Sequence, residues 1–201
     1  MTLKALKQLS RRRPLVLGSA SPRRVHLLRE AGIEFRQVVS DVVEKRRPGE
    51  DPFAFGLRLA AEKAIEVARS CNDHEVVLGG DTVVVLGDML LDKPVDRDDA
   101  VRILTTLSGH RHTVATSLAL ADSTGLLIAG IEKTDVFFNP VTAKQIAEYI
   151  DSGEPMDKAG AYGIQGMGAF LVDRIDGNID NVVGLPLTLL NRLARDILSR
   201  L

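Results

Sequence analysis

The chain is short of several things that would otherwise direct its reading. It has one cysteine, Cys71, among 201 residues. That excludes an internal disulfide and fits a reducing compartment, here expected to be the cytoplasm. With no histidine motif beside it, Cys71 reads as an inert, partly buried thiol. There is no tryptophan, and aromatics make up only 4%, so no stacking platform for nucleic-acid bases is expected. No apolar run reaches membrane-spanning length. Lys+Arg 26 against Asp+Glu 27 leaves a net charge of -1; no global basic field draws the chain to nucleic acid, and any anion site must be local. Missing too are GxSxG, HExxH, a Walker A pattern and GxGxxG after a strand.

What is present is ordinary for a globular protein, with 45% hydrophobic and 26% charged residues and enough length to bury a real core. The opening MTLKALKQLSRRR is basic but has no secretory apolar region or small-residue cleavage site. Residues 1–13 are expected to be a solvated extension with a frayed helix, ahead of one domain over 14–201.

The most informative stretch is Leu15–Arg24, LVLGSASPRR. Leu15, Val16 and Leu17 suit a short buried strand, and Gly18 to Ser21 are small enough for backbone to approach a ligand. Ser21 is an N-cap and Pro22 suits the first helical position, where its missing N–H costs nothing. Arg23 and Arg24 then fall in the first helical turn, whose partial positive charge favours anions rather than cations. An external anion between them resolves the conflict, and guanidinium matches phosphate two oxygens at a time. An ordinary strand-to-helix turn with solvated arginines fits this stretch equally well.

Along the chain, the helix from Pro22 stops at Gly32, and a strand follows near Phe35–Ser40. The polar loop 41–51 contains Glu44 and a basic group read as solvated surface. Asp51–Pro52 opens a long helix with a broad apolar side, in whose alanine-rich middle Lys63 is either a snorkelling surface residue or a ligand contact. Glu75–Asp81 reads as a buried strand ending in glycines and an acid, with Asp81 at a strand end where α/β ligand clefts open. A hairpin around Gly87–Asp88 leads to Lys93–Pro94 and a helix over Arg97–Leu107. His110 and His112 flank an arginine without a carboxylate at metal-ligand spacing and read as strand-end polar residues, not zinc ligands. Strands His112–Ala121 and Leu126–Phe138 follow, then a capping box at Thr142 and Gln145. The glycine-rich Asp157–Gly168 reads as a loop anchored by Tyr162 and Ile164, and the Gln165 amide, donor and acceptor at once, suits a base edge. A strand Ala169–Asp173 and a terminal helix from Pro186 complete a mixed sheet with helices.

Scattered cations and a few acids at strand and loop ends fit phosphate chemistry. Cations hold phosphates, and carboxylates hold a divalent metal and orient a water. Asp81 and Glu44 are the candidate acids, and magnesium needs no more than one or two carboxylates beside substrate oxygens.

SASPRR at 19–24, the Lys63 helix, GGDTVV at 79–84, LDKP at 91–94, LSGHRHTV at 107–114, DKAGAYGIQG at 157–166 and DNVVGLP at 180–186 resemble the Maf family of nucleoside triphosphate pyrophosphatases. The resemblance implies an elongated mixed β-sheet with flanking helices, two lobes around a central cleft, and kinship with inosine triphosphate pyrophosphatases. It implies cleavage between the α and β phosphates with Mg or Mn, in a homodimer. By motif, Asp81 is the proton acceptor or a metal ligand, with Glu44 assisting at the metal. Ser19, Arg23, Arg24, Lys63 and Lys93 bind phosphates, and Lys93 is counted with the catalytic residues. Arg23, Thr82 and Gln165 resemble the set found in members acting on dTTP and UTP, and modified pyrimidine nucleotides are expected as further substrates. Gly80 departs from the alanine usual there. The alternative is a nucleotide-binding regulator of septation with little hydrolysis.

Overall fold

The computed structural model describes residues 2–200. Helix α1 (Lys4–Arg12) precedes strand β1 (Leu15–Leu17), helix α2 (Pro22–Glu30) and strand β2 (Phe35–Gln37). Helix α3 (Pro52–Ala68) leads to β3 (Val76–Leu86), β4 (Met89–Leu91) and helix α4 (Arg97–Leu107). Strands β5 (Arg111–Ala121) and β6 (Leu127–Phe138) are followed by helix α5 (Ala143–Asp151) and by short 3₁₀ turns between Glu154 and Leu171. Strand β7 (Val172–Asp176), helix α6 (Ile179–Val183) and helix α7 (Leu187–Leu198) end the chain. The strands form one seven-stranded sheet in the order β2-β1-β3-β5-β6-β7, with β4 paired to β3. Strand β1 is parallel to both β2 and β3, whereas β3–β4 and β6–β7 are antiparallel. This is the mixed α/β sheet with flanking helices expected from the sequence.

The chain forms two compact units. The first holds residues up to Asp81, Thr116–Glu132 and Gly184 onward; the second holds Thr82–Ala115 and Lys133–Val183.

In the first unit the period-2 alternation of strands sorts side chains onto two faces. Leu15, Leu17, Val76, Leu78, Leu118 and Leu120 join one core with α1, α2 and α7. Val16, Val77, Ala119 and Ala121 face the other way, against Ala60, Ala64, Val67 and Ala68 of α3. Gly79 follows Val77 on the α3 side. A Cβ there would lie 2.3 Å from the Ala60 carbonyl oxygen and 2.7 Å from Ala64 N, so only glycine lets α3 approach this closely. Asp81 is next on that face. It is not at a strand end, as the sequence suggested: β3 runs unbroken through it, because the two glycines serve close packing rather than a turn.

The N-terminal extension is also corrected. Leu6 and Leu9 of α1 are fully buried in the first unit's core, and Asn191 Oδ1 of α7 accepts Leu6 N–H at 3.1 Å. Arg13 then ties the segment down, with Nη1 2.7 Å from Asp122 Oδ2 and further donors on the carbonyls of Asp73, His74 and Glu75. Burial of the Leu6–Leu9 stripe, invisible without its partner helix, outweighs the charge around it.

In the second unit α4, α5 and parts of β3, β5 and β6 share a core that includes Val84, Leu104, Val136, Phe138, Tyr149 and Tyr162. The capping box at Thr142 and Gln145 forms as read. Strand β7 starts three residues later than expected. The carbonyls of Phe170 and Leu171 are held by the side chain and backbone of Asn139, which keeps Gly166–Leu171 in a 3₁₀ turn. Strand β2 also ends early, at Gln37 rather than Ser40.

Candidate active site

The turn after β1 is built as its small residues require. Ser21 caps α2, accepting Arg24 N–H, with Pro22 as the first helical residue. Ser19 Oγ accepts from Ser21 N at 3.2 Å and from Arg24 Nη1 at 3.0 Å, while Gln37 Nε2 of β2 holds the Ser19 carbonyl at 2.7 Å. Arg24 is buried. Its Nε donates to Gly184 O and its Nη1 to Gly80 O, each at 2.9 Å. It therefore clamps the turn to β3 beside Asp81, a structural role that the sequence reading did not foresee. Burial pushes the Arg24 pKa down, partly opposed by Asp81.

Lys63 is neither solvated nor snorkelling. Its side chain is 11% exposed, and its Nζ lies 2.8 Å from Asp81 Oδ1 and 2.6 Å from Glu44 Oε1. One turn of α3 separates Lys63 from Ala60, and the close approach at Gly79 sets the ammonium over Asp81. Two carboxylates thus converge on one cation. Burial raises the Asp81 pKa; Lys63 and then Arg24 pull it back, and Glu44 adds to the rise. The second Asp81 oxygen accepts no hydrogen bond among the described residues. A carboxylate with one oxygen fixed, the other open and a raised pKa is equipped to take a proton.

Ser19, Arg24, Glu44, Lys63 and Asp81 are therefore brought together in the first unit, with Arg23 half-buried in the first turn of α2 and its charge felt at Arg24. Thr82, Lys93 and Gln165 belong to the second unit. Thr82 follows Asp81 on β3 and is half-buried, Lys93 is exposed after β4, and Gln165 is exposed on the glycine-rich loop.

The family model described as Maf-like protein matches residues 14–197. The chain belongs to the Maf family. The dTTP/UTP pyrophosphatase of Geobacter sulfurreducens is 49% identical over 175 residues, which cover 86% of this chain and 91% of that protein. The dTTP/UTP pyrophosphatase of Escherichia coli O157:H7 is 47% identical over 174 residues, 86% of this chain and 87% of that protein. Among solved structures, a nucleoside-triphosphatase / dITP/XTP pyrophosphatase from Mycobacterium abscessus superposes with a TM-score of 0.38 at 14% identity, covering 62% of this chain and 74% of that one; so loose a likeness carries no argument.

Helix α1 lies outside the matched Maf segment, yet it is part of the first unit's core. Gly80, where the Maf resemblance leads one to expect alanine, has room for little: a Cβ would meet Arg24 Nε and Leu118 Cδ2 at 3.2 Å. The sequence reading missed Gln37 and the Gly184 carbonyl, which hold the Maf turn in place, and Gly79, which lets α3 close on β3. Gln37 alone left a trace, as a polar residue inside a short strand.

The donor set fits a divalent cation. Asp81 and Glu44 already share one positive centre, the Lys63 ammonium. No group of three or more His, Cys, Asp or Glu among the described residues is placed to hold a metal, so substrate oxygens would have to complete the coordination.

Proposed function

We propose that this Maf protein hydrolyses dTTP and UTP, and modified pyrimidine nucleotides of the same shape, to the nucleoside monophosphate and pyrophosphate. The observation that carries the reading is the convergence of Lys63, Glu44 and Asp81 beside the arginine-clamped turn at Ser19. The Geobacter sulfurreducens and Escherichia coli relatives, both named dTTP/UTP pyrophosphatases, support the substrate class. They lend nothing to the septation-regulator alternative.

In this reading Ser19, Arg23, Arg24, Lys63 and Lys93 hold the triphosphate, while Thr82 and Gln165 face the base. Asp81 takes a proton from a water whose oxygen bonds the α-phosphorus. The bond from that phosphorus to the α–β bridging oxygen breaks, and the oxygen leaves on pyrophosphate. Lys63 keeps one Asp81 oxygen fixed so that the other meets the water. A divalent ion, Mg or Mn, would be held by Glu44, and by Asp81 in the alternative where Asp81 is a metal ligand and not the proton acceptor; when bound it would offset charge on the phosphates. We place the activity in residues 14–201, in the cytoplasm and in a homodimer; no helix among the described residues is long and apolar enough to cross a membrane.

The test is product analysis with purified full chain, Mg and UTP. UMP and pyrophosphate are expected in equal amounts; UDP and orthophosphate would overturn the assignment of the bond.

A further inference from the structure

The loop that presents Gln165 is wrapped around a carboxylate. Glu154 lies in the 3₁₀ turn Glu154–Asp157. Its Oε2 accepts Met167 N–H at 3.0 Å; its Oε1 accepts Gly168 N–H at 3.2 Å and the Tyr149 hydroxyl at 3.0 Å. The Tyr149 oxygen in turn accepts Gly163 N–H at 3.1 Å. Backbone amides on both sides of Gln165 therefore end on one Glu–Tyr pair. Glycines allow the wrap. A Cβ at Gly166, where φ is +74°, would lie 2.9 Å from Glu154 Oε2, and one at Gly168 would lie 2.6 Å from the Tyr149 oxygen. Tyr149 itself is buried in the second unit's core, so the anchor is rigid while Gln165 is exposed and makes no hydrogen bond among the described residues.

We propose that Glu154 and Tyr149 are positioning residues that fix the height and direction of the Gln165 amide, and so set the preference for pyrimidine over the larger purine bases. The inference rests on the reading of Gln165 as the residue that meets the base. The physical need is plain. A glycine-rich loop has large conformational freedom, and an amide spread over many positions pairs with no base edge in particular. Hydrogen bonds to a carboxylate are the stronger kind, and two loop amides use it here. A role held only for folding would act on every substrate alike; a role in presenting Gln165 acts on the base-dependent part alone.

The experiment measures kcat and KM of the full chain for UTP and ATP, with Mg, in wild type, Glu154→Gln, Tyr149→Phe and Gln165→Ala. Glu154→Gln keeps the shape but turns one acceptor oxygen into an amide NH2 that faces a donor. Loss of about one charge-assisted hydrogen bond should raise KM for UTP about tenfold, leave kcat within about threefold, and lower the UTP:ATP ratio of kcat/KM about tenfold. Tyr149→Phe should move the same quantities in the same direction, and it carries the test should Glu154→Gln not fold. Faster amide exchange at Met167 and Gly168 in Glu154→Gln is the accompanying structural sign. An unchanged ratio in both variants, with Gln165→Ala lowering it, overturns this inference and leaves the pyrimidine reading standing. An equal fall of kcat on both nucleotides also overturns it. A Gln165→Ala ratio equal to wild type, or no turnover of UTP by wild type, overturns both.

Discussion

Asp81 in the first unit and His112 in the second are both buried titratable groups, and the two are treated oppositely. Asp81 in the first unit is desolvated but faces Lys63 and, more distantly, Arg24. His112 in the second unit is fully buried between the rings of Phe138 and Tyr162, with its Nε2 2.8 Å from the Tyr162 hydroxyl. Burial drives both toward their neutral forms, His112 down to about 4. The difference lies in what surrounds them. The acid has a cation at one oxygen and, among the described residues, no hydrogen bond at the other; the imidazole is packed edge-on against aromatic rings. Desolvation alone does not mark a reactive group, and the partner decides.

The sharpest way to break this comparison is Asp81→Asn. Loss of a general base should lower kcat about 10³-fold, while the melting temperature holds or rises because a desolvated carboxylate has gone. The sign follows from linkage. The folded Asp81 keeps a proton that the unfolded chain releases, so its contribution to stability falls as pH rises from its ordinary value of 3.8 upward. Denaturant midpoints against pH should lose that slope in the variant. A variant with full turnover would end the assignment of Asp81.

Lys63→Met removes the cation between two acids. Breaking a buried pair typically costs about 3–5 kcal/mol, and the lower end is expected here because Glu44 is half exposed and water screens it. Urea titration measures the loss. Adding Asp81→Asn to Lys63→Met should recover part of it.

His112 predicts the opposite pH slope. Its folded pKa of about 4 lies below the ordinary 6.5, so the unfolded chain binds the proton first. Stability is complete above pH 6.5 and is lost as pH falls toward 4, by up to about 3 kcal/mol at 1.36 kcal/mol per unit. His112→Phe should flatten the acid limb of a midpoint-against-pH curve without changing kcat; a changed kcat would show that His112 is not inert.

Two neighbouring glycines differ, and the smallest effect belongs to the second. Gly79→Ala forces a Cβ against the Ala60 carbonyl oxygen at 2.3 Å and should cost about 2–3 kcal/mol, with activity lost as α3 carries Lys63 away from Asp81. Gly80→Ala meets Arg24 Nε and Leu118 Cδ2 at 3.2 Å and should cost under about 1 kcal/mol. Melting temperatures of the pair test the packing argument directly.

Elements whose signals lie within a few residues were legible. The LVL strand, the Ser21–Pro22 helix start, the Thr142–Gln145 box and the α7 stripe all stand where expected. Strand β7 was misplaced because Asn139, from a distant segment, holds Phe170 and Leu171 out of the ladder. Helix α1 differs from the expected solvated extension because its leucines are buried in a core built from distant segments, α7 among them.

By itself, the sequence determined the alternation of strands and helices, the caps, and the kinds of group available for phosphate chemistry. These rest on backbone geometry and on neighbours a turn or less away. Only the tertiary structure decided what those groups are. Lys63 and Asp81 are 18 residues apart, and Arg24 and Gly80 are 56 apart. Whether water or a countercharge stands beside a carboxylate depends on what distant segments pack against it, and no local pattern encodes that.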